Sequence, residues 1–174
     1  TYTNGDVVNN VRPYSGGTVI SCCLDEIPVR VCTACGIGLY LDAPSAGAHD
    51  GEDDCTNCDP GQSSIAGSAG CSSCVAGKYR TATIHGGVCG NCPKGTFLTD
   101  AGTDRFKHDA LDDCRVCNIG MFAAAVGSAS CTNCAAGKYN ANGNVTAADH
   151  EACTLCPSGR VTQELGATSE TFCS

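Results

Sequence analysis

The chain has 174 residues with 17 Cys, a formal charge of −8, four Phe, five Tyr and no Trp. So few large side chains cannot build one dominant apolar core, and such a density of Cys is typical of secreted proteins stabilised by disulfides. The acidic charge argues against a nucleic-acid partner, and no apolar run is long enough to span a membrane. We therefore expect an extracellular or cell-surface protein, secreted and either free or GPI-anchored.

The N-terminal arm, residues 1–31, lies outside the repeat pattern that follows it. Its first 21 residues contain no Cys and include Val, Ile and Thr, which favour β-strands. Such an arm docks on the first module of its own chain, is disordered, or adds as a strand to a neighbouring subunit. Because 17 is odd, at least one Cys lacks a partner within the chain. We expect Cys23 to bond to Cys32 and Cys22 to be unpaired or linked to a second chain, although which of the two adjacent residues is the odd one stays open.

Seven Cys-x-x-Cys pairs between Cys32 and Cys156 each begin a module of the chain. Three residues after the second Cys of every pair comes a glycine, hereafter the turn glycine, at positions 38, 61, 77, 95, 120, 137 and 159. A glycine at a constant position indicates a tight turn with positive φ, followed by a short two-stranded ribbon. Five modules carry an aromatic residue two positions later, which we expect to pack on the nearby disulfide as a small core: Tyr40, Tyr79, Phe97, Phe122 and Tyr139.

A longer repeat groups these modules into cassettes of three. Residues 71–79 resemble residues 131–139, and residues 49–55 resemble residues 108–114. We therefore expect a first cassette over residues 32–88, a second over residues 89–152 and a partial third over residues 153–174. The predicted fold is a small disulfide-rich tandem-repeat protein, an elongated array of short β-ribbon modules with little regular secondary structure, in which modules contact mainly their neighbours. One short helical turn is expected at residues 123–125.

Cys-x-x-Cys motifs serve in zinc sites, in thioredoxin-like redox sites and in structural disulfide frameworks. Neighbouring pairs have the spacing of a zinc ribbon, but seven pairs cannot be grouped in twos without a remainder. A redox motif needs a single pair at the start of a helix in a βαβ unit. A bond within one pair would enclose almost no chain, so we favour a ladder in which the second Cys of each module bonds to the first Cys of the next. Its bonds would be Cys35–Cys55, Cys58–Cys71, Cys74–Cys89, Cys92–Cys114, Cys117–Cys131, Cys134–Cys153 and Cys156–Cys173.

The pattern Cys-x-x-Gly-x-Tyr/Phe, followed by a loop and a further Cys-x-x-Cys-x-x-Gly, resembles the cysteine-rich modules of tumour-necrosis-factor receptors. It is more similar to the GCC2/GCC3 ephrin-receptor-like repeats, and the resemblance extends from Cys32 to Cys173. The resemblance implies structural roles for the Cys pairs, the turn glycines and the aromatic residues, and it supports the ladder. Such repeats also occur in ciliate immobilisation antigens and in large algal surface proteins, whose low-complexity loops look like the Gly- and Ala-rich loops of this chain.

Candidate catalytic or ligand-binding groups are sparse. The acidic stretch at residues 52–54 lacks the spacing of a calcium loop, and no nucleophile–base arrangement or phosphate-binding loop is evident, so we expect no enzyme activity, no cofactor and no metal. A sequon predicts an N-glycan on Asn144. The four His residues lie shortly before cysteines, and we expect them in solvated loops rather than in a metal site: His49, His85, His108 and His150.

These features favour a structural or surface-coat glycoprotein, such as a protist surface antigen, that acts by self-assembly as a filament or coat subunit or by dense display. Its expected partners are further copies of the chain and glycans, without nucleic acid or a membrane span. The alternative is the ligand-binding ectodomain of a tumour-necrosis-factor-receptor-like protein. A receptor is expected to contain one module with exposed aromatic or Arg anchors that break the repeat.

Overall fold

The computed structural model describes residues 21–26, 29–41, 55–82, 87–141 and 146–174, and for residues 21–26 and 29–33 the backbone alone. These segments contain short strands and 3-10 turns but no α-helix, and no helical segment among them is long and apolar enough to cross a bilayer. The 3-10 turns are Arg105–Lys107, Leu111–Asp113, Ala147–His150 and Glu170–Phe172. Strands β1 to β14 are, in order, Ser21–Glu26, Val29–Ala34, Leu39–Tyr40, Thr56–Asn57, Gln62–Ser63, Ser72–Ser73, Lys78–Tyr79, Gly90–Asn91, Thr96–Phe97, Arg115–Val116, Met121–Phe122, Thr132–Asn133, Lys138–Tyr139 and Thr154–Leu155.

The first two strands form the longest ribbon. β1 and β2 pair antiparallel over six residues each, with Cys23 directly opposite Cys32 and Cys22 opposite Thr33. This register places the backbone of Cys23 beside that of the partner predicted from the sequence. The bonds made by these sulfur atoms fall outside the described part of the chain, as do residues 1–20 of the arm.

The other six ribbons link each module to the next. The strand that follows a turn glycine pairs antiparallel with the two residues between the cysteines of the next module, as β7 does with β8. In each of these ribbons the N–H of the second Cys donates to the carbonyl of the turn glycine, for example Cys92 to Gly77 at 2.8 Å. The ribbons predicted after the turn glycines are therefore confirmed for modules 1 to 6, and all seven turn glycines have a positive φ.

The described residues contain seven disulfides, of which six connect successive modules and the seventh closes the loop of module 7. The sequence separation within a bonded pair ranges from 13 to 22 residues. On chain-entropy grounds a closed loop of about 15 residues contributes about 3 kcal/mol. Because the described residues contain only two small clusters of buried apolar side chains, the disulfides are the main source of stability. They join the pairs given above: Cys35–Cys55, Cys58–Cys71, Cys74–Cys89, Cys92–Cys114, Cys117–Cys131, Cys134–Cys153 and Cys156–Cys173.

A buried residue lies three positions after every turn glycine, at what we call the core position. The aromatic residues, one position earlier, are only half-buried. Tyr79 packs on the cluster of Cys92, Leu98 and Cys114, so the predicted contact between a ring and a disulfide exists there, but the rings border the small cores rather than fill them. The core positions are occupied by Leu41, Ser64, Arg80, Leu98, Ala123, Asn140 and Thr162.

Residues 123–125 do not form the expected helical turn. The N–H of Ala123 donates to the carbonyl of His150 at 2.9 Å, and the carbonyl of Ala123 accepts from the N–H of Gly95 at 2.8 Å. Both backbone groups of Ala123 are therefore bonded to neighbouring modules, which prevents the local bonding that a helical turn requires.

Candidate functional site at the contacts between modules

Five turn glycines lie against the loop of the module two positions further along the chain. A Cβ added at Gly38 would lie closer than 3.0 Å to the backbone of Gly87, and one added at Gly77 would do so with Gly127. Glycine is required at these positions both for its positive φ and for its lack of a side chain. We call this approach the glycine contact. It recurs between Gly61 and Arg105, between Gly95 and Ala147, and between Gly120 and Gly166.

The glycine contact modifies the predicted arrangement of the array. The sequence predicts that each module contacts chiefly its two neighbours. Hydrogen bonds do join successive modules, as from the N–H of Leu98 to the carbonyl of Ser128 at 3.1 Å. In addition, the backbone of a turn glycine contacts the loop backbone of the module two positions further along. An ion pair between Arg105 and Asp59, at 3.0 Å, likewise joins module 4 to module 2. Both first and second neighbours therefore hold each module in place.

Two turn glycines differ from the other five. A Cβ added at Gly137 or Gly159 meets no atom of the described residues within 4 Å, because residues 1–174 include no module two positions beyond modules 6 and 7; both glycines have a positive φ. Module 7 also exposes Leu155 and Leu165, at 70 % and 67 %, although Ile65 of module 2 is more exposed, at 78 %. Leu165 and the exposed Phe172 line a cavity of about 470 Å³ in module 7. We call the exposed surface of modules 6 and 7 that includes Gly137, Gly159, Leu155, Leu165 and Phe172 the end face.

Polar residues at core positions bond to the preceding module. Arg80 is only 6 % exposed, and its Nη1 donates to the carbonyls of Cys58, Asp59 and Gln62 at 2.9 to 3.0 Å. A planar guanidinium aimed at three carbonyls fixes the turn of module 2 against module 3. The hydroxyl of Ser64 likewise donates to the carbonyl of Leu39, and that of Thr162 accepts from the N–H of Gly137, so polar core positions help to orient successive modules.

Two of the four His residues are completely buried where a loop folds back on the preceding module. The carbonyl of His108 accepts from the N–H of Arg80 at 2.8 Å, and that of His150 accepts from the N–H of Ala123 at 2.9 Å. The expectation of solvated loops is therefore wrong for these two residues, because their loops pack against a neighbour. Among the described residues the Nε2 of His150 has no hydrogen-bond partner, whereas both ring nitrogens of His108 are bonded. His49 lies outside the described residues, as does His85.

His108 is held between two acceptors. Its Nδ1 lies 2.7 Å from the carbonyl oxygen of Lys78, and its Nε2 lies 3.1 Å from Oδ1 of Asp100. The hydrogen bond from His108, and next that from the hydroxyl of Thr103, hold the pKa of Asp100 well below its usual range, so this carboxylate is ionised. Lys107 places a cation 3.5 Å from the same carboxylate.

We expect an Asp100→Asn variant to be less stable than the parent protein at neutral pH but to lose less stability on acidification. The pKa of Asp100 is lower in the folded than in the unfolded chain, so the ionised carboxylate stabilises the fold. This contribution is present above about pH 4, near the pKa of an unfolded Asp, and is lost as the pH falls further. Denaturant midpoints between about pH 7 and pH 2 measure the effect, with the exposed Asp112→Asn as control. Parallel pH profiles of Asp100→Asn and the parent would contradict it.

The remaining predicted site residues are either disulfide-bonded cysteines or residues outside the described segments. The fourteen cysteines from Cys35 to Cys173 are disulfide-bonded, so their sulfur atoms are not thiolate ligands for zinc. Within the described segments no group of three or more His, Cys, Asp or Glu side chains is placed to hold a metal ion. Asn144 and the acidic residues 52–54 lie outside those segments.

The core positions were missed because their residues range from Leu to Arg, and only their constant distance from the turn glycine could have revealed them.

No protein-family model matches the sequence, and no curated protein is significantly similar to it. The structure establishes the architecture, which consists of tandem β-hairpin modules joined by disulfides. So many disulfides indicate an oxidising, extracellular environment.

Proposed function

We propose that this protein is an extracellular structural or surface-coat glycoprotein that acts by self-assembly into filaments or dense arrays. The resemblance of its modules to GCC2/GCC3 repeats, as found in ciliate and algal surface proteins, supports this function. So does a framework of disulfides that suits permanent exposure to an oxidising exterior. An N-glycan on Asn144 is part of the same proposal.

One observation carries the proposal, namely that the glycine contact recurs five times within the chain, so that modules of this kind pack on one another through a repeated contact between a bare turn backbone and a loop. Gly137 and Gly159 offer the same bare backbone that receives a loop elsewhere in the array. A second copy is a partner of the right shape, because its modules 3 to 7 carry the loops that make this contact. Docking there would also cover Leu155 and Leu165, whose exposure is costly in water. A head-to-tail contact of this kind does not close on itself and builds a filament.

Self-assembly is tested with a double variant, Gly137→Ala with Gly159→Ala. In the single chain the new Cβ atoms have open space, so each substitution costs only the strain of a left-handed conformation, about 1 to 2 kcal/mol. In an assembled array the same atoms would overlap the incoming loops, and assembly should be abolished. Gly70→Ala, with open space and no positive φ, is the matched control. Sedimentation velocity and electron microscopy measure the outcome, and filaments of unchanged abundance in the double variant would refute the end face as the connector.

The N-terminal arm is the second connector in this proposal. Residues 1–21 add as a strand to a neighbouring subunit, and Cys22 forms a disulfide with it. Deleting residues 1–21 and replacing Cys22 with Ser is expected to abolish assembly. Cys22→Ser alone separates the covalent link from the strand. If the truncated protein still forms the same oligomers, the arm has no part in assembly.

A ligand-binding ectodomain is the second candidate function, and a groove between modules 4 and 5 favours it. The groove encloses about 520 Å³, and Pro93, Leu111 and Arg115 are among its lining residues. Leu111 is 47 % exposed and Arg115 is also exposed, and Arg is a common anchor of protein partners. A secreted chain that remains a monodisperse monomer at all concentrations would favour this function over self-assembly.

A further inference from the structure

Three of the ribbons between modules place a hydroxyl opposite an aromatic ring. Residues directly opposite each other in an antiparallel pair point to the same face, with Cβ atoms about 5 Å apart. In each of the three ribbons the threonine is exposed and the aromatic residue is half-buried, so a reachable hydroxyl lies beside the ring. The register pairs Tyr40 with Thr56, Phe122 with Thr132, and Tyr139 with Thr154.

We propose that Thr56, Thr132 and Thr154 are O-glycosylation sites whose first sugar stacks on the opposing aromatic ring. The inference rests on the extracellular function proposed above, because a secreted chain meets glycosyltransferases on its way out of the cell. In the transfer, the threonine Oγ attacks the anomeric carbon of a nucleotide-activated sugar. The C1–Oγ bond forms as the C1–O bond to phosphate breaks, the hydroxyl proton passes to a base of the transferase, and the nucleoside diphosphate leaves.

The backbone around each threonine is held in place. Thr132, for example, directly follows Cys131, which is bonded to Cys117, and it pairs with Phe122 across the ribbon. Thr56 and Thr154 have the same position, since each follows the first Cys of its module. A fixed attachment point beside a ring limits the orientations of a linked sugar, which lowers the entropic cost of stacking. The C–H face of the sugar would then cover the exposed part of the ring.

The other ribbons provide internal controls. Ser72 occupies the equivalent place in β6 and is exposed, but it lies opposite Ser63 instead of a ring. Tyr79 supplies a ring in β7 but lies opposite Gly90, which has no hydroxyl. One chain therefore contains a site with the hydroxyl alone and a site with the ring alone.

Site-resolved glycopeptide mass spectrometry of protein from its native source tests the proposal. Sugar is expected on Thr56, Thr132 and Thr154, and its absence is expected on Ser72. Unmodified threonines at all three positions would overturn the proposal. Occupancy of Ser72 equal to that of the threonines would overturn the role assigned to the rings.

A second measurement addresses stacking directly. Protons that lie over an aromatic ring shift upfield in NMR spectra, so Tyr139→Leu should remove an upfield shift from the sugar on Thr154. Tyr79→Leu, whose ring lies opposite Gly90, should leave that sugar unchanged. Sugar resonances unaffected by Tyr139→Leu would overturn stacking. Electron microscopy of the native sample separates the two proposals: filaments with unmodified threonines refute only the O-glycan sites, and sugars without filaments refute only the proposed function.

Discussion

Gly95→Ala is expected to destabilise the protein more than Gly159→Ala, by about 1 to 3 kcal/mol, although the two substitutions are chemically identical. Both glycines have a positive φ, of 75° and 85°, so both variants carry the strain of a left-handed alanine. Only at Gly95 does the new Cβ also lie closer than 3.0 Å to the backbone of Ala147. The loop of module 6 must then move away from module 4, and its hydrogen bonds to module 5 are weakened with it.

Guanidinium unfolding with the disulfides intact measures the difference, and Gly70→Ala gives the baseline for adding a methyl group in open space. Hydrogen exchange adds a local readout. The N–H of Ala123, which donates to the carbonyl of His150 in the displaced loop, should exchange faster in Gly95→Ala than in Gly159→Ala. Equal losses of stability in the two variants would show that the glycine contact contributes nothing.

Replacing both Cys92 and Cys114 with Ala is expected to cost about 4 to 5 kcal/mol in stability. Their bond has the largest sequence separation of the seven described, 22 residues, and contributes about 3 kcal/mol on chain-entropy grounds. Both residues also belong to the buried cluster around Leu98, so their removal leaves a cavity that costs about 1 to 2 kcal/mol more. The loop released by this change carries His108 and Arg105, which connect module 4 to modules 3 and 2.

The Cys58–Cys71 pair is the matched control for this prediction. Its sequence separation is 13 residues, so the entropic contribution is nearly the same, about 3 kcal/mol, but neither residue belongs to a buried apolar cluster among the described residues. Thermal unfolding should therefore show a larger drop in Tm without Cys92 and Cys114 than without Cys58 and Cys71. A larger drop in the second variant would contradict the energetic role of the cluster.

The ribbons could be predicted from the sequence because they depend on cysteine and glycine. These residues have few structural roles, and here they recur at constant distances from each other. Cys-x-x-Cys pairs followed by glycine leave little choice of turn, and the two residues between the cysteines are the natural partner for the strand after that turn. The burial of the aromatic residues was overestimated from the sequence, because a ring such as Tyr79 was expected to form the core of its module. The core position one residue later is filled by residues as unlike as Leu98 and Arg80, and hydropathy gives no signal for it.

The contacts between second-neighbour modules could not be predicted, for a related reason. Gly95 must lack a side chain because Ala147 approaches it, whereas Gly159 only turns the chain. The two residues are nevertheless indistinguishable in the sequence. The hydrogen bond between His108 and Asp100 depends on how a loop folds back on its neighbour. That fold-back is set by hydrogen bonds between modules rather than by any local pattern.

The disulfide ladder also determines how the chain responds to a pulling force. Tension along the array passes through each S–S bond into the next Cys-x-x-Cys segment, and the loops lie off this covalent path. From Cys35 to Cys173 this path crosses seven disulfides, each joining Cα atoms about 5.7 Å apart. Between them it follows six Cys-x-x-Cys segments, each three residue-to-residue steps long. Fully stretched, the path measures about 100 Å. The same residues without disulfides would stretch to about 480 Å. Between Cys35 and Cys173 the protein therefore cannot be pulled beyond about a fifth of the length of the reduced chain, however many hydrogen bonds its loops lose under load.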